Sequence, residues 1–68
     1  MDLTGAEYDV LHKLSFYGAQ DDGDLPSKSG MVGLISKGFA KKDYDLIKPN
    51  IITRAGADKL DQLLDQPF

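Results

Sequence analysis

The sequence lacks the features that stabilise or anchor many small proteins. Its 68 residues include no cysteine, which excludes disulfide bridges and thiolate zinc sites. A domain of this length buries only about 60% of the surface of its unfolded chain, so its core must be small. Apolar runs are far shorter than a membrane span requires, and residues 1–3 do not form the basic start of a signal peptide. We therefore expect a single cytoplasmic domain over residues 1–68.

Catalytic and metal-binding motifs are also missing. The sequence contains no P-loop, no Gly-x-Gly-x-x-Gly and no His-Glu-x-x-His. The single histidine, His12, follows Leu11 at the edge of an apolar stripe, where a structural role is expected. The acidic stretch 21–24 does not continue as a calcium-binding loop, because Pro26 and Lys28 stand where ligands are needed. The sequence therefore predicts no catalytic residue, no metal site and no cofactor.

Charge is unevenly distributed along the chain. The net charge is −3, but residues 1–24 contain one lysine against six acidic residues. Residues 25–54 contain six basic residues against two acidic ones, and residues 55–68 contain one lysine against three acidic ones. A basic middle between acidic ends says more about binding partners than the total charge does.

The first helix is predicted over residues 3–19. Thr4 is a candidate N-cap, and Glu7 three residues later completes a capping box. Gly18 suits the C-terminal end of the helix. Helical spacing predicts one apolar face, made of Val10, Leu11, Leu14 and Tyr17.

A second helical stretch is predicted over residues 25–39, after a turn at 20–24, and it starts at Pro26 or Ser27. Its apolar stripe comprises Met31, Val32, Leu34 and Ile35. Gly30 and Gly33 each cost about 1 kcal/mol relative to alanine inside a helix. Two explanations remain open: close packing against another helix, or a break at Gly30 that makes two short helices.

The end of this stretch has the features of a Schellman motif. Gly38 is a suitable left-handed terminator, and Phe39 after it is placed to contact Leu34.

A β-hairpin and a last helix complete the predicted order. The strands are 39–42 and 50–53, with Pro49 restricting the residue before the second strand to extended geometry. The linking residues 43–49 include Tyr44, Leu46 and Ile47, so part of this segment is expected to extend the strands. Thr53 is the candidate N-cap of a helix over 53–66, with Pro67-Phe68 after it. Its apolar face consists of Ala57, Leu60, Leu63 and Leu64.

This order predicts a compact, mainly helical α+β domain, and it resembles the winged helix-turn-helix domain of MarR-type and related small regulators. The opening LTGAEYDVLHKL is similar to the L-T-x-x-E-x-x-V-L-x-x-L first helix of such domains. The later L-x-x-x-G-L-V … L-T-x-x-G-x-x-x-L pattern is matched by Leu34, Gly38, Phe39, Ala40, Ile52, Thr53, Gly56 and Leu60. The chain departs from the family between Gly18 and Gly38, where there is room for one good helix or two very short ones.

The resemblance implies a transcription regulator that contacts duplex DNA through the second helix and the hairpin wing. The residues it implicates are Ser27, Lys28, Ser29, Lys37, Lys41, Lys42, Lys48 and Arg54. Phosphate contacts need only basic residues, but base reading needs arginine, asparagine or glutamine, and the second helix contains none of these.

The alternative is a winged-helix adaptor or inhibitor that binds another protein and not DNA. Asp43 and Asp45 flank Tyr44, which we expect to be exposed, and two carboxylates repel a nucleic-acid backbone. Four other aromatic residues, Tyr8, Phe16, Tyr17 and Phe39, are expected in the core. A homodimer through the C-terminal helix is a further expectation. The predicted protein-contact residues are Asp43, Tyr44, Asp45, Leu60 and Leu64.

Overall fold

The computed structural model describes residues 3–65. The fold consists of three α-helices and a short antiparallel hairpin, consistent with a winged-helix-like layout, and the predicted α+β class is confirmed. The helices are α1 (Gly5–Tyr17), α2 (Lys28–Lys37) and α3 (Arg54–Leu64), and the strands are β1 (Ala40–Lys42) and β2 (Asn50–Ile52). One turn of 3-10 helix, Asp22–Asp24, lies between α1 and α2.

Side-chain caps define the start of every α-helix. The Thr4 hydroxyl accepts a hydrogen bond from the Glu7 N–H at 3.1 Å, and the Glu7 carboxylate accepts one from the Thr4 N–H at 2.9 Å. The capping box predicted for α1 is therefore confirmed. Ser27 caps α2, and Thr53 caps α3 through the N–H of Gly56. These bonds satisfy backbone donors that have no partner inside the helix.

The end of α2 is the predicted Schellman motif. Gly38 has φ 81° and ψ 12°, in the left-handed region that favours glycine. Its N–H donates to the Ile35 carbonyl at 3.0 Å, and the Phe39 N–H donates to the Leu34 carbonyl at 2.9 Å. Phe39 is half-buried and packs against the core. The chain thus turns directly from α2 into β1.

The glycines of α2 allow it to lie close to α1. A Cβ at Gly30 would stand 2.5 Å from the Ala6 carbonyl oxygen, and one at Gly33 would overlap the Glu7 carboxylate. Residues 28–37 form one uninterrupted helix. Of the two explanations for these glycines, close packing is therefore correct and a break at Gly30 is not.

A small apolar core lies between the three helices and the hairpin. Its buried residues are Val10, Leu11, Leu14, Met31, Leu34, Ala40 and Leu60. Val32 and Ile35, predicted as part of the apolar stripe of α2, are exposed instead. They lie on the side of α2 that faces away from α1.

Two aromatic residues of α1 do not reach the core, contrary to prediction. Phe16 and Tyr17 are exposed, the latter at 70%. The glycines of α2 approach Ala6, Glu7 and Val10, in the first half of α1, and neither exposed aromatic residue lies at these close approaches. The Phe16 ring packs instead on the His12 ring, with centroids 4.3 Å apart. Lys13 lies over the Tyr17 ring at 4.7 Å.

The hairpin pairs with a third segment of the chain. Lys42 is opposite Asn50 in the β1–β2 register. On its other side, Asn50 forms an isolated antiparallel bridge with Gln20, through backbone hydrogen bonds of 3.0 and 3.1 Å. Residues 43–49 form turns and bends and do not extend the strands. We refer to residues 43–49 as the hairpin tip. None of the helices in residues 3–65 is long and apolar enough to cross a membrane.

Candidate functional site

Lys37, one of the predicted DNA contacts, lies in the seam between α1 and α2. Its ammonium nitrogen Nζ is 2.5 Å from Oε1 of Glu7, whose side chain is only 6% exposed. The hydrogen bond from Lys37, together with the N–H of Thr4, lowers the pKa of Glu7. Lys37 therefore compensates a buried carboxylate, which is a structural role.

Lys42 is also paired. Its Nζ lies 2.8 Å from Oδ1 of Asp22 in the 3-10 turn. The same oxygen accepts a hydrogen bond from Nδ2 of Asn50 at 2.8 Å, and Nδ2 also donates to the Gln20 carbonyl at 2.9 Å. Lys42 and Asn50 lower the pKa of Asp22, and the pKa of Lys42 is raised by Asp22. This cluster fixes the 3-10 turn against the hairpin.

Lys41 and Lys42 do not form one basic patch. Successive side chains of a strand point to opposite faces, and the burial of β1 follows this rule, with Ala40 buried and Lys41 exposed. Lys42 shares the inner face with Ala40, opposite the fully buried Asn50. Lys41 therefore points away from the cluster that holds Lys42.

The remaining predicted DNA contacts are spread over the surface. Ser27 is engaged as the cap of α2, and its Oγ lies 3.1 Å from that of Ser29. Lys28 is exposed at the start of α2, Lys48 is exposed in the hairpin tip, and Arg54 begins α3. Arg54 lies 3.8 Å from Asp58 one helical turn later, an exposed pair of little energetic consequence.

A surface pocket of about 140 Å³ opens between the 3-10 turn, α2 and β1. Its walls combine apolar side chains with charged ones: Leu25, Met31 and Val32, then Asp22, Lys28 and Lys42. Asp22 and Lys42 are paired with each other, whereas Lys28 makes no ion pair within residues 3–65. The pocket thus has an apolar wall, and Lys28 acts on Asp22 only at longer range, through its charge.

The hairpin tip presents large apolar side chains on a well-defined turn. The Asp43 carboxylate accepts a hydrogen bond from the Asp45 N–H at 3.1 Å, and its carbonyl accepts one from the Leu46 N–H at 3.0 Å. Ile47 is 95% exposed and Tyr44 79% exposed, and Leu46 is also exposed. The predicted exposure of Tyr44 is confirmed.

The two leucines of α3 predicted to contact a protein differ in accessibility. Leu60 is part of the core and is not available to a partner, because its side chain packs between α3 and the rest of the fold. Leu64, one turn later, is exposed. The prediction that Leu60 contacts a protein partner is therefore wrong.

Sequence reasoning missed Ile47, Leu46 and Val32 as surface residues. The first two lie in the segment 43–49, part of which is expected to extend the strands, and Val32 fits the apolar stripe of α2. The available signal was the turn-forming Asp43, which starts a side-chain-to-backbone turn and so favours an exposed loop.

No protein-family model matches the sequence, and no curated protein or solved structure matches it significantly. Within residues 3–65, no group of three or more histidine, aspartate or glutamate side chains is arranged to hold a metal ion.

Proposed function

We propose that this protein is a winged-helix-type interaction module that binds another protein through its hairpin tip. The observation that carries the proposal is the exposure of Tyr44, Leu46 and Ile47 on one short turn. Single exposed apolar residues are ordinary, but several together mark binding surfaces. The turn is braced by Asp43, so the tip loses little conformational freedom on binding.

The charge arrangement favours a protein partner over DNA. Lys37 and Lys42 are already paired with carboxylates. The exposed side of α2, which would enter a DNA groove in a winged helix, presents Val32 and Ile35. Base edges are read by hydrogen-bonding side chains, whereas apolar and aromatic groups with few lysines are typical of the centre of a protein interface.

The test is a comparison of three immobilised proteins in an extract of the source cells. Wild type, Ile47→Asp and Leu64→Asp are matched, because both variants place an aspartate at an exposed apolar position. A partner of the tip is retained by wild type and Leu64→Asp and lost by Ile47→Asp. It is then purified, and its affinity for all three proteins is measured by calorimetry, where Ile47→Asp should weaken binding at least about tenfold.

Equal capture by the three proteins, or equal affinities in calorimetry, would overturn the tip as the binding surface. Circular dichroism of each variant checks that the fold is retained.

A second candidate function is binding to duplex DNA as a transcription regulator, in line with the resemblance to MarR-type domains. It is favoured by exposed cations on α2, the hairpin and α3: Lys28, Lys41, Lys48 and Arg54. Such binding should weaken with salt at a log–log slope of roughly −0.9 per phosphate contact. Lys41→Glu should reduce both the affinity for DNA and the slope. Asp61→Lys on α3 changes the charge in the opposite direction and is the control, which should reduce neither. A lack of binding to mixed-sequence duplex at low salt would remove this candidate.

A further inference from the structure

The pocket and the hairpin tip have complementary surfaces on the same chain. We propose that the tip of one copy occupies the pocket of a second copy, and that the reciprocal contact forms a two-fold dimer. This inference rests on the proposed function, because it uses the tip as the binding element and names a second copy of the chain as its partner.

The apolar parts of the two surfaces match in kind and in size. The pocket offers Leu25 and the 66% exposed Val32 above the buried Met31, and the tip offers Leu46 and Ile47. A cavity of about 150 Å³ can take a benzene-sized group, so a pocket of about 140 Å³ has room for one branched aliphatic side chain. Ile47, the most exposed apolar residue of the tip, is the side chain we assign to it.

The charges that remain at each surface have opposite signs. In the pocket, Asp22 is held directly by Lys42 and Asn50. Lys28 acts on Asp22 only through its charge at longer range and makes no ion pair within residues 3–65. In the tip, the Asp43 carboxylate is used within the turn, whereas Asp45 contributes only its backbone N–H to that bond. Lys28 of one copy and Asp45 of the other are therefore the expected pair across the interface.

The pocket and the tip are neighbours on one chain, because Lys42 lines the pocket and the tip begins at the next residue. This proximity favours a reciprocal, closed contact over a head-to-tail filament. In a two-fold dimer each surface of one copy meets the other surface of its partner, so the contact forms twice and the assembly closes. Each contact involves one loop and one small pocket, which is characteristic of a weak, reversible dimer and not an obligate one.

The first experiment is sedimentation equilibrium of the purified chain over a wide concentration range. Wild type is expected to dimerise reversibly. Ile47→Asp in the tip and Val32→Asp in the pocket should each weaken association at least about tenfold. Leu64→Asp is the matched control and should associate like wild type, because it lies outside both surfaces and tests a dimer through α3 instead.

A charge-exchange experiment tests the pairing directly. Lys28→Glu and Asp45→Lys should each associate less than wild type, because each places like charges across both contacts of its own dimer. Mixing the two variants should restore association. In the mixed dimer one contact joins Glu at position 28 to Lys at position 45, and the other keeps the wild-type pair.

Several results would overturn the inference: a wild-type chain that stays monomeric at the highest concentration, dimers unaffected by Ile47→Asp, loss of association in Leu64→Asp alone, or no recovery on mixing. The proposed function fails separately. A monomeric chain whose tip still binds a purified protein partner would remove the dimer and leave the interaction module.

Discussion

Two regions of the molecule, the hairpin tip and the seam between α1 and α2, differ in which groups they bury. The seam buries a charged group, whereas the tip exposes apolar ones. The seam buries the Glu7 carboxylate beside Lys37 and brings two helices into contact at Gly30. The tip leaves Ile47 almost fully exposed and orders its backbone through Asp43. Stability should therefore depend on the seam and binding on the tip, so that substitutions in the two regions have separable effects.

The largest expected effect comes from the core beside the seam. Leu34→Ala should lower the free energy of unfolding by about 2–5 kcal/mol, because Leu34 is fully buried and its loss leaves a cavity. The matched change Ile35→Ala, at the next, exposed position of α2, should cost much less. Urea denaturation measures both, and equal losses would contradict the orientation of α2.

A smaller loss is expected where the helices touch. Gly30→Ala should destabilise by about 1–3 kcal/mol, because the new methyl group meets the backbone of Ala6. At Gly5, in the first turn of α1, an added Cβ would instead meet nothing within 4 Å. Gly5→Ala should therefore stabilise the protein, through helix propensity alone. A stabilising Gly30→Ala would show that the seam is looser than described.

The charge in the seam gives a pH-dependent effect. The folded-state pKa of Glu7 is lowered from its ordinary value of 4.5, so its contribution to stability is present above that pH and is lost as the pH falls through the folded value. Glu7→Gln, which keeps a capping side chain, should lower the melting temperature at pH 7, and the difference from wild type should shrink in acid. The pKa of Asp22 is also lowered in the folded state, so the stability of the Glu7→Gln variant should still fall in acid. If the difference in melting temperature between the variant and wild type did not change with pH, the loss of stability would be due to packing and not to the charge of Glu7.

The smallest effect on stability is expected at the tip. Ile47→Ser should change the free energy of unfolding by less than about 0.5 kcal/mol, because the side chain makes few contacts within the fold. Its affinity for a partner should fall in the same preparation. A clear loss of stability would show that the tip packs onto the protein itself and would end the separation of the two regions.

The helix ends could be predicted from sequence because their causes are local. Thr4, Ser27 and Gly38 act on backbone groups within about one helical turn, and each lies at a helix end in the structure. The ion pair of the seam could not be predicted, because Glu7 and Lys37 are 30 residues apart and meet only once the helices have packed.

The candidate site was predicted only in part, for a related reason. Helical spacing identifies a face of a helix but not how much of it a neighbouring element covers. Tyr17 fitted the apolar stripe of α1, yet no neighbouring element covers it and it is exposed. Val32, at the pocket, was assigned to the core by the same rule. Tyr44, between two acidic residues, carried a signal of exposure in the sequence itself, and its exposure is confirmed.

The buried amide of Asn50 has a consequence for ligand binding. It joins β2 to Gln20 and Asp22, and through Asp22 to Lys42, so the walls of the pocket come together only when segments 20–30 residues apart have all assembled. The unfolded chain contains no such pocket, so a ligand of the pocket binds only the folded state. By mass action, occupancy should therefore raise the melting temperature of the entire chain with ligand concentration. Thermal stability then becomes a direct assay for an occupant whose identity need not be known in advance.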